Sequence, residues 1–309
     1  MGYTSLMLKR SAYGALAWLD LESPTAKEVA GIAAEYGIEP FVAEELLQPS
    51  MKPRVEFHGT YAYVILHFPG VQRGHNTVEQ EVDFVIGSNF LITTHYDSID
   101  PLHGFSKTFE VHSLLDKGTI GDHGFVLFFY MLKKLYRAVE HEIDHIQHNL
   151  IYIEEHLFSN QEVEMVRAIS RASNDLLRLR QTIEPHREVL KILETEGPKF
   201  FGEKFAPLLR TLANEYYRAH NHIMRNIDSL GELRETNNSL LSTKENETMR
   251  VLTIMALLTF PLSLMVAILQ IDTVHNPIRG LPYDFWIILG SVVVTGTCMI
   301  LYFKHRGWL

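Results

Sequence analysis

From Val251 to Ile271 the chain carries no charged side chain, and from Phe285 to Phe303 it again carries none. At 1.5 Å per residue, about 20 helical residues cross a hydrocarbon core of roughly 30 Å. A helix of this length in a soluble core shows a polar face, and neither run has one. The pattern predicts two C-terminal transmembrane helices, about 251–271 and 285–303. Average composition hides them, at 46% hydrophobic and 21% charged. Nearly all the charge precedes Arg250.

The flanks predict an orientation. Lys244 and Arg250 precede the first span, and Lys304, His305 and Arg306 follow the second. The connecting loop offers only His275 and Arg279 as positives. Positive residues stay inside, so both termini are expected in the cytoplasm of a multi-pass protein of the plasma or inner membrane. Trp286 and Trp308 sit near the two ends of the second span, where interfacial aromatics belong. The two spans make membrane lipid an expected partner, while the net charge of −9 provides no basic face for phosphates and speaks against nucleic acid. The single cysteine, Cys298, lies inside an apolar run and excludes a disulfide framework. Met1 to Leu6 lack the basic and apolar segments of a signal peptide. Two helices cannot enclose a water-filled path alone. Either they anchor the chain, or several copies surround an axis.

The region before the spans reads as α+β. Strands are predicted at Ala15–Leu21, Arg54–Phe57, Tyr61–Phe68, Glu81–Ile86 and Phe90–His95, rich in Val, Ile, Phe and Tyr. Ser23-Pro24-Thr25 opens a helix through Tyr36, and Pro40–Gln48 forms another. From about Pro101 the pattern turns helical, with long helices over Phe125–Phe158 and Val163–Leu193 and a break at Gly197-Pro198. The domain expectation is an α/β region over 1–120, a helical region over 121–246 that begins a stalk, and a two-helix membrane domain over 247–309.

The stalk carries two stripes. Leu209, Leu212, Tyr216, Ala219, Ile223, Asn226, Leu230, Leu233, Asn237 and Leu240 recur at heptad spacing, which predicts a coiled-coil seam between copies. Nothing from Phe205 to Ile271 stops the helix except Pro261, which a membrane span tolerates. Uninterrupted, it is on the order of 100 Å long. Glu235, Asn238, Ser242, Asn246, Met249, Leu252, Ala256, Phe260 and Ser263 share a second face. That face either lines a pore in a symmetric bundle or packs against the second span.

His141-Glu142-Ile143-Asp144-His145 matches the His-Glu-x-x-His pattern of zinc proteases. Ile143, Ile146, Leu150 and Ile153 define the apolar face of that helix, and His141, His145 and His148 point away from it. No third ligand follows. No catalytic residues are assigned, and the chain is not read as an enzyme.

Asn246-Glu247-Thr248-Met249-Arg250-Val251-Leu252-Thr253, followed by Phe260-Pro261-Leu262-Ser263-Leu264, resembles the CorA-type magnesium and divalent-cation transporters. The basic close Lys304-His305-Arg306-Gly307-Trp308-Leu309 is similar too, as are Lys52-Pro53-Arg54-Val55-Glu56 and Gly87-Ser88-Asn89-Phe90-Leu91-Ile92-Thr93. The resemblance implies a funnel-shaped homopentamer with the first span lining the pore and divalent cations gating it between cytoplasmic domains. Asn246, Met249, Leu252, Ala256, Phe260 and Ser263 become pore-lining positions, with Met249 and Leu252 in a hydrophobic gate. No cofactor is implied beyond Mg2+ as cargo and gating ion, with Co2+, Ni2+ or Zn2+ as further cargo. Where the family carries Gly-Met-Asn, this chain reads Gln270-Ile271-Asp272, then Thr273. Asp272 makes a carboxylate ring, and therefore a metal-binding position, at the mouth. The same departure leaves open an alternative, a membrane-anchored scaffold or sensor that no longer conducts.

Overall fold

The computed structural model describes residues 8–13, 15–70, 79–96, 123–159, 161–271 and 283–308. The chain forms β1 (Leu8–Tyr13), β2 (Leu16–Glu22), α1 (Ala26–Tyr36), α2 (Pro40–Glu45), β3 (Arg54–Phe57), β4 (Tyr61–Pro69), β5 (Glu79–Gly87), β6 (Phe90–His95), α3 (Gly124–His156), α4 (Glu162–Ile183), α5 (His186–Phe201), α6 (Ala206–Leu269) and α7 (Asp284–His305). It divides into two compact units, Met1–Arg234 and Glu235–Leu309. The α+β architecture, the long helix and the two apolar C-terminal helices are all present.

The first unit is built on a sheet of order β1-β2-β6-β5-β4-β3. Only β2 and β6 run parallel, and the other neighbours are antiparallel. The central strands are buried along nearly their whole length, so both faces of the sheet are covered. Strand alternation sorts the side chains. Tyr61, Tyr63, Ile65 and Val85 pack with Val29 and Ile32 of α1, Val42 of α2 and Leu46 just after it. Phe84 points the other way and meets Phe128 of α3 edge-on at 5.1 Å. Thr25 and Glu28 make a reciprocal capping box that starts α1, and Gly37 ends it in the left-handed conformation.

Gly124 opens α3 hard against the β5–β6 hairpin. A Cβ there would meet the carbonyl oxygens of Phe90 at 2.2 Å and Gly87 at 2.4 Å, and its N–H donates to the Ser88 carbonyl at 3.0 Å. Only glycine permits this approach.

The expected helix over Val163–Leu193 is two helices, and the expected break at Gly197-Pro198 is not a break. The chain turns at Glu184-Pro185, where proline removes a backbone donor, and α5 then runs through both residues to Phe201. Gly197 marks close packing, because a Cβ there would lie 2.7 Å from Leu209 Cδ1 of α6. Pro198 falls in the last turn, and Gly202, at φ 115°, ends the helix.

Candidate functional site

α6 is one unbroken helix through Pro261. Its heptad stripe is covered by helices of the same chain. Leu209, Leu212, Tyr216, Ala219, Ile223 and Leu230 are all buried within a single copy. Tyr216 meets Tyr136 of α3 at 6.5 Å between centroids, and Leu209 lies against Gly197 of α5. The seam expected between copies is therefore internal over these residues, where α3 and α5 lie against Tyr216 and Leu209, and Asn237, further along the stripe, is buried as well.

Beyond Glu235 the helix changes character. Every member of the second stripe is exposed, including Asn246, Ala256 and Ser263. Met249 is 61% exposed, Leu252 54% and Phe260 74%, which leaves more than half of each large apolar side chain uncovered among the described residues. The face that packs is a different one from either stripe. Ile254 is buried, and Leu258, Leu262, Met265 and Leu269 are partly covered. Leu262 Cδ1 comes within 3.6 Å of where a Cβ on Gly296 of α7 would lie. The Thr295 hydroxyl of α7 contacts Met265 Sδ at 3.8 Å. At 3.6 residues per turn these residues lie about half a turn from Met249, Leu252, Ala256, Phe260 and Ser263. The signal for this seam, the same three-and-four spacing, was present in the sequence.

Hydroxyls inside the spans bond back to their own helices. Thr253 donates to the Met249 carbonyl and Thr259 to Met255, each at 2.7 Å. Thr297 donates to Val293 at 2.8 Å. Both helices are long, apolar and exposed, and these three hydroxyls are satisfied within their own helices, as suits a lipid environment.

At the end of α6, Gln270 and Ile271 are exposed. Their N–H groups donate to Val266 at 3.1 Å and Ile268 at 3.3 Å. Neither takes a positive φ, so the helix ends here without the left-handed residue a glycine would supply. Asp272 and Thr273 lie outside the described residues.

The sheet carries a second polar constellation that the sequence did not announce. Glu81 receives His67 Nε2 at 3.0 Å and the Ser50 N–H at 2.8 Å. Tyr63 donates to Asp83 at 3.1 Å, and Asp83 is fully buried. Burial raises the Asp83 carboxyl well above the usual range, reinforced by the charge of Glu81. Burial works against a charged His67, but the Glu81 contact outweighs it and raises the imidazole. His186, fully buried, donates from Nε2 to the His67 carbonyl at 2.8 Å and accepts at Nδ1 from Tyr136 at 2.9 Å. Burial holds it neutral, down to about 3. The group ties β4 to α3 and α5 and positions helices rather than chemistry. Its signal is strand register, which pairs residues far apart in sequence.

His141 and His145 are exposed, and Ile143, Ile146, Leu150 and Ile153 are buried. The histidines therefore stand on the solvent side of α3, as the helical wheel predicts.

The chain is similar along most of its length to known transporters. The cobalt/magnesium transport protein CorA of Thermotoga maritima is 25% identical over 94% of this chain and 83% of the relative. CorA of Methanocaldococcus jannaschii is 21% identical over 95% and 92%. The complete structure of the M. jannaschii CorA magnesium transporter superposes with a TM-score of 0.82 at 20% identity, covering 98% of this chain and 95% of that one. That likeness establishes the fold. A family model described as CorA-like Mg2+ transporter protein matches residues 13–305, nearly the whole chain, and the protein belongs to that family.

Proposed function

We propose that this protein carries divalent cations across a membrane, Mg2+ first with Co2+, Ni2+ or Zn2+ as further cargo, through a path lined by α6 in a ring of identical copies. The observation that carries the reading is the face of α6 left bare from Glu235 to Ser263, opposite its contact with α7. Among the described residues, a single copy offers a cation no enclosed route. Copies arranged with this face inward do, and the family resemblance points to five.

The reading assigns Asn246 to the polar entrance. Met249 and Leu252 form a narrow apolar ring that blocks ions by shedding water, and Ser263 supplies hydroxyls deeper in the membrane. Both termini lie in the cytoplasm, following the positive flanks. An inside-negative potential contributes roughly 2.3 kcal/mol per charge per 100 mV, so uptake needs no coupled chemistry. At the outer mouth Gln270, Ile271, Asp272 and Thr273 replace the family signature. A ring of Asp272 carboxylates draws cations more strongly than amides do. Mg2+ gives up water reluctantly, so those carboxylates would hold its hydration shell rather than the bare ion.

The substitution at the signature also favours a second reading, a membrane-anchored sensor without conduction. Ion-resolved flux into liposomes separates the two. Transport reads as cation uptake that changes in rate or selectivity in Asp272→Asn and falls severalfold in Asp272→Ala. Uptake that neither variant alters removes the mouth assignment, and no uptake of any divalent ion leaves the sensor.

A further inference from the structure

The contact between α3 and α6 holds a donor set that the transport reading does not use. Glu140 and Asp144 stand one turn apart on α3, and His222 of α6 meets them. One ligand atom from each lies within 4.8 Å of the others. His222 Nδ1 is 3.3 Å from Glu140 Oε2, and both side chains are more than four-fifths buried. His222 Nε2 faces Gln147 Oε1 at 3.1 Å.

With the ring proton on Nε2 toward Gln147 Oε1, Nδ1 presents its lone pair on the side of the Glu140 and Asp144 carboxylates, the arrangement a metal ion requires. The nearby cations neutralise these carboxylates only in part. Arg218 reaches Glu140 at 3.4 Å from its other side while also pairing with Glu215, and Lys133 lies 3.6 Å from Glu215. Asp144 has no ion pair among the described residues. Three carboxylates thus face two permanent cations.

We infer that Glu140, Asp144 and His222 bind a divalent transition-metal ion within one chain, with Zn2+, Co2+ and Ni2+ preferred over Mg2+. With metal–ligand bonds of about 2.1 Å, the 3.3 Å gap from Nδ1 to Oε2 subtends about 105° at the ion, a normal coordination angle. A metal-bound imidazole characteristically donates its other N–H to an oxygen, as Nε2 does to Gln147. The nitrogen ligand sets the preference, because imidazole suits these ions and Mg2+ favours oxygen alone. Three protein ligands leave positions for water. The ion would clamp α3 to the helix that continues into the first span. The inference stands apart from the transport reading, because binding is measured without flux.

The test is titration of the full-length protein in detergent with Co2+, read by the visible absorption and electron paramagnetic resonance of nitrogen-ligated cobalt. The expected result is a saturable site at one ion per chain. His222→Gln removes the nitrogen signature, and Asp144→Asn weakens binding at least tenfold. His145→Gln, on the exposed histidine stripe, changes neither. His222→Asp restores binding without the nitrogen signature and moves the preference from Co2+ toward Mg2+, which a merely structural histidine would not do. A nitrogen signature that survives His222→Gln, or one that vanishes in His145→Gln, overturns the inference in favour of adventitious surface binding. Absence of any saturable Co2+ site overturns it outright.

Discussion

α6 behaves as two different helices joined end to end. From Leu209 to Leu230 its apolar stripe is buried within the same chain, with Tyr136 of α3 and Gly197 of α5 among its partners. Beyond Glu235 one side meets α7 through Ile254, Leu262 and Met265, and the opposite side keeps Met249, Leu252 and Phe260 bare. Similar spacing of apolar residues therefore has two outcomes. Where partners are supplied in the same chain, the stripe becomes core. Where they are not, it must find lipid, water or another copy.

The largest expected effect breaks the comparison directly. Leu212→Ala, at a fully buried position of the first segment, costs about 2–5 kcal/mol and lowers the melting temperature of the detergent-solubilised protein. Leu252→Ala, on the same helix and 54% exposed, leaves the fold of the single chain nearly untouched, yet alters cation flux. Equal losses of stability at the two sites would erase the distinction.

Gly124→Ala is next. The added Cβ meets two backbone oxygens that cannot swing aside, and overpacking of this kind costs about 1–3 kcal/mol. Chemical denaturation should show the loss, with the α3–sheet junction opening first in hydrogen exchange.

The last effect is a slope. His186 is held neutral down to about 3 from an ordinary 6.5. Between those values the unfolded chain binds a proton that the native chain refuses. Its contribution to stability is complete above about pH 6.5 and declines as the pH falls toward 3, by roughly 1.4 kcal/mol per unit. His186→Gln keeps a donor and cannot titrate. The stability difference between wild type and variant should shrink by about that slope from pH 6.5 to 5, a window above most carboxylates. A constant difference would mean that His186 is not buried neutral.

Much of this was legible in the residues. The spans announce themselves by length without charge, and β3 to β6 by β-branched and aromatic runs between turns. Other features needed the fold. Leu8–Tyr13 carries Lys9 and Arg10 and does not read as a strand, yet it pairs at the sheet edge, where charge is tolerated and Arg10 finds Glu35. Gly197-Pro198 reads as punctuation but serves close packing against Leu209. The heptads of α6 look alike along its length, and only the positions of α3 and α5 decide which of them are already occupied. Glu140 and Asp144 are visible as a pair one turn apart, but His222 joins them from a distant helix.

The central claim is that the bare face of α6 meets copies of itself around a path through the membrane. Cys298 is the only cysteine, so Cys298→Ser gives a clean background for single cysteines at Met249, Leu252 and Ser263 on that face and at Leu258 on the face toward α7. Oxidative crosslinking in native membranes should join chains through the first three and not through Leu258. Crosslinks only through Leu258, or chains that stay monomeric at every position, would contradict the account.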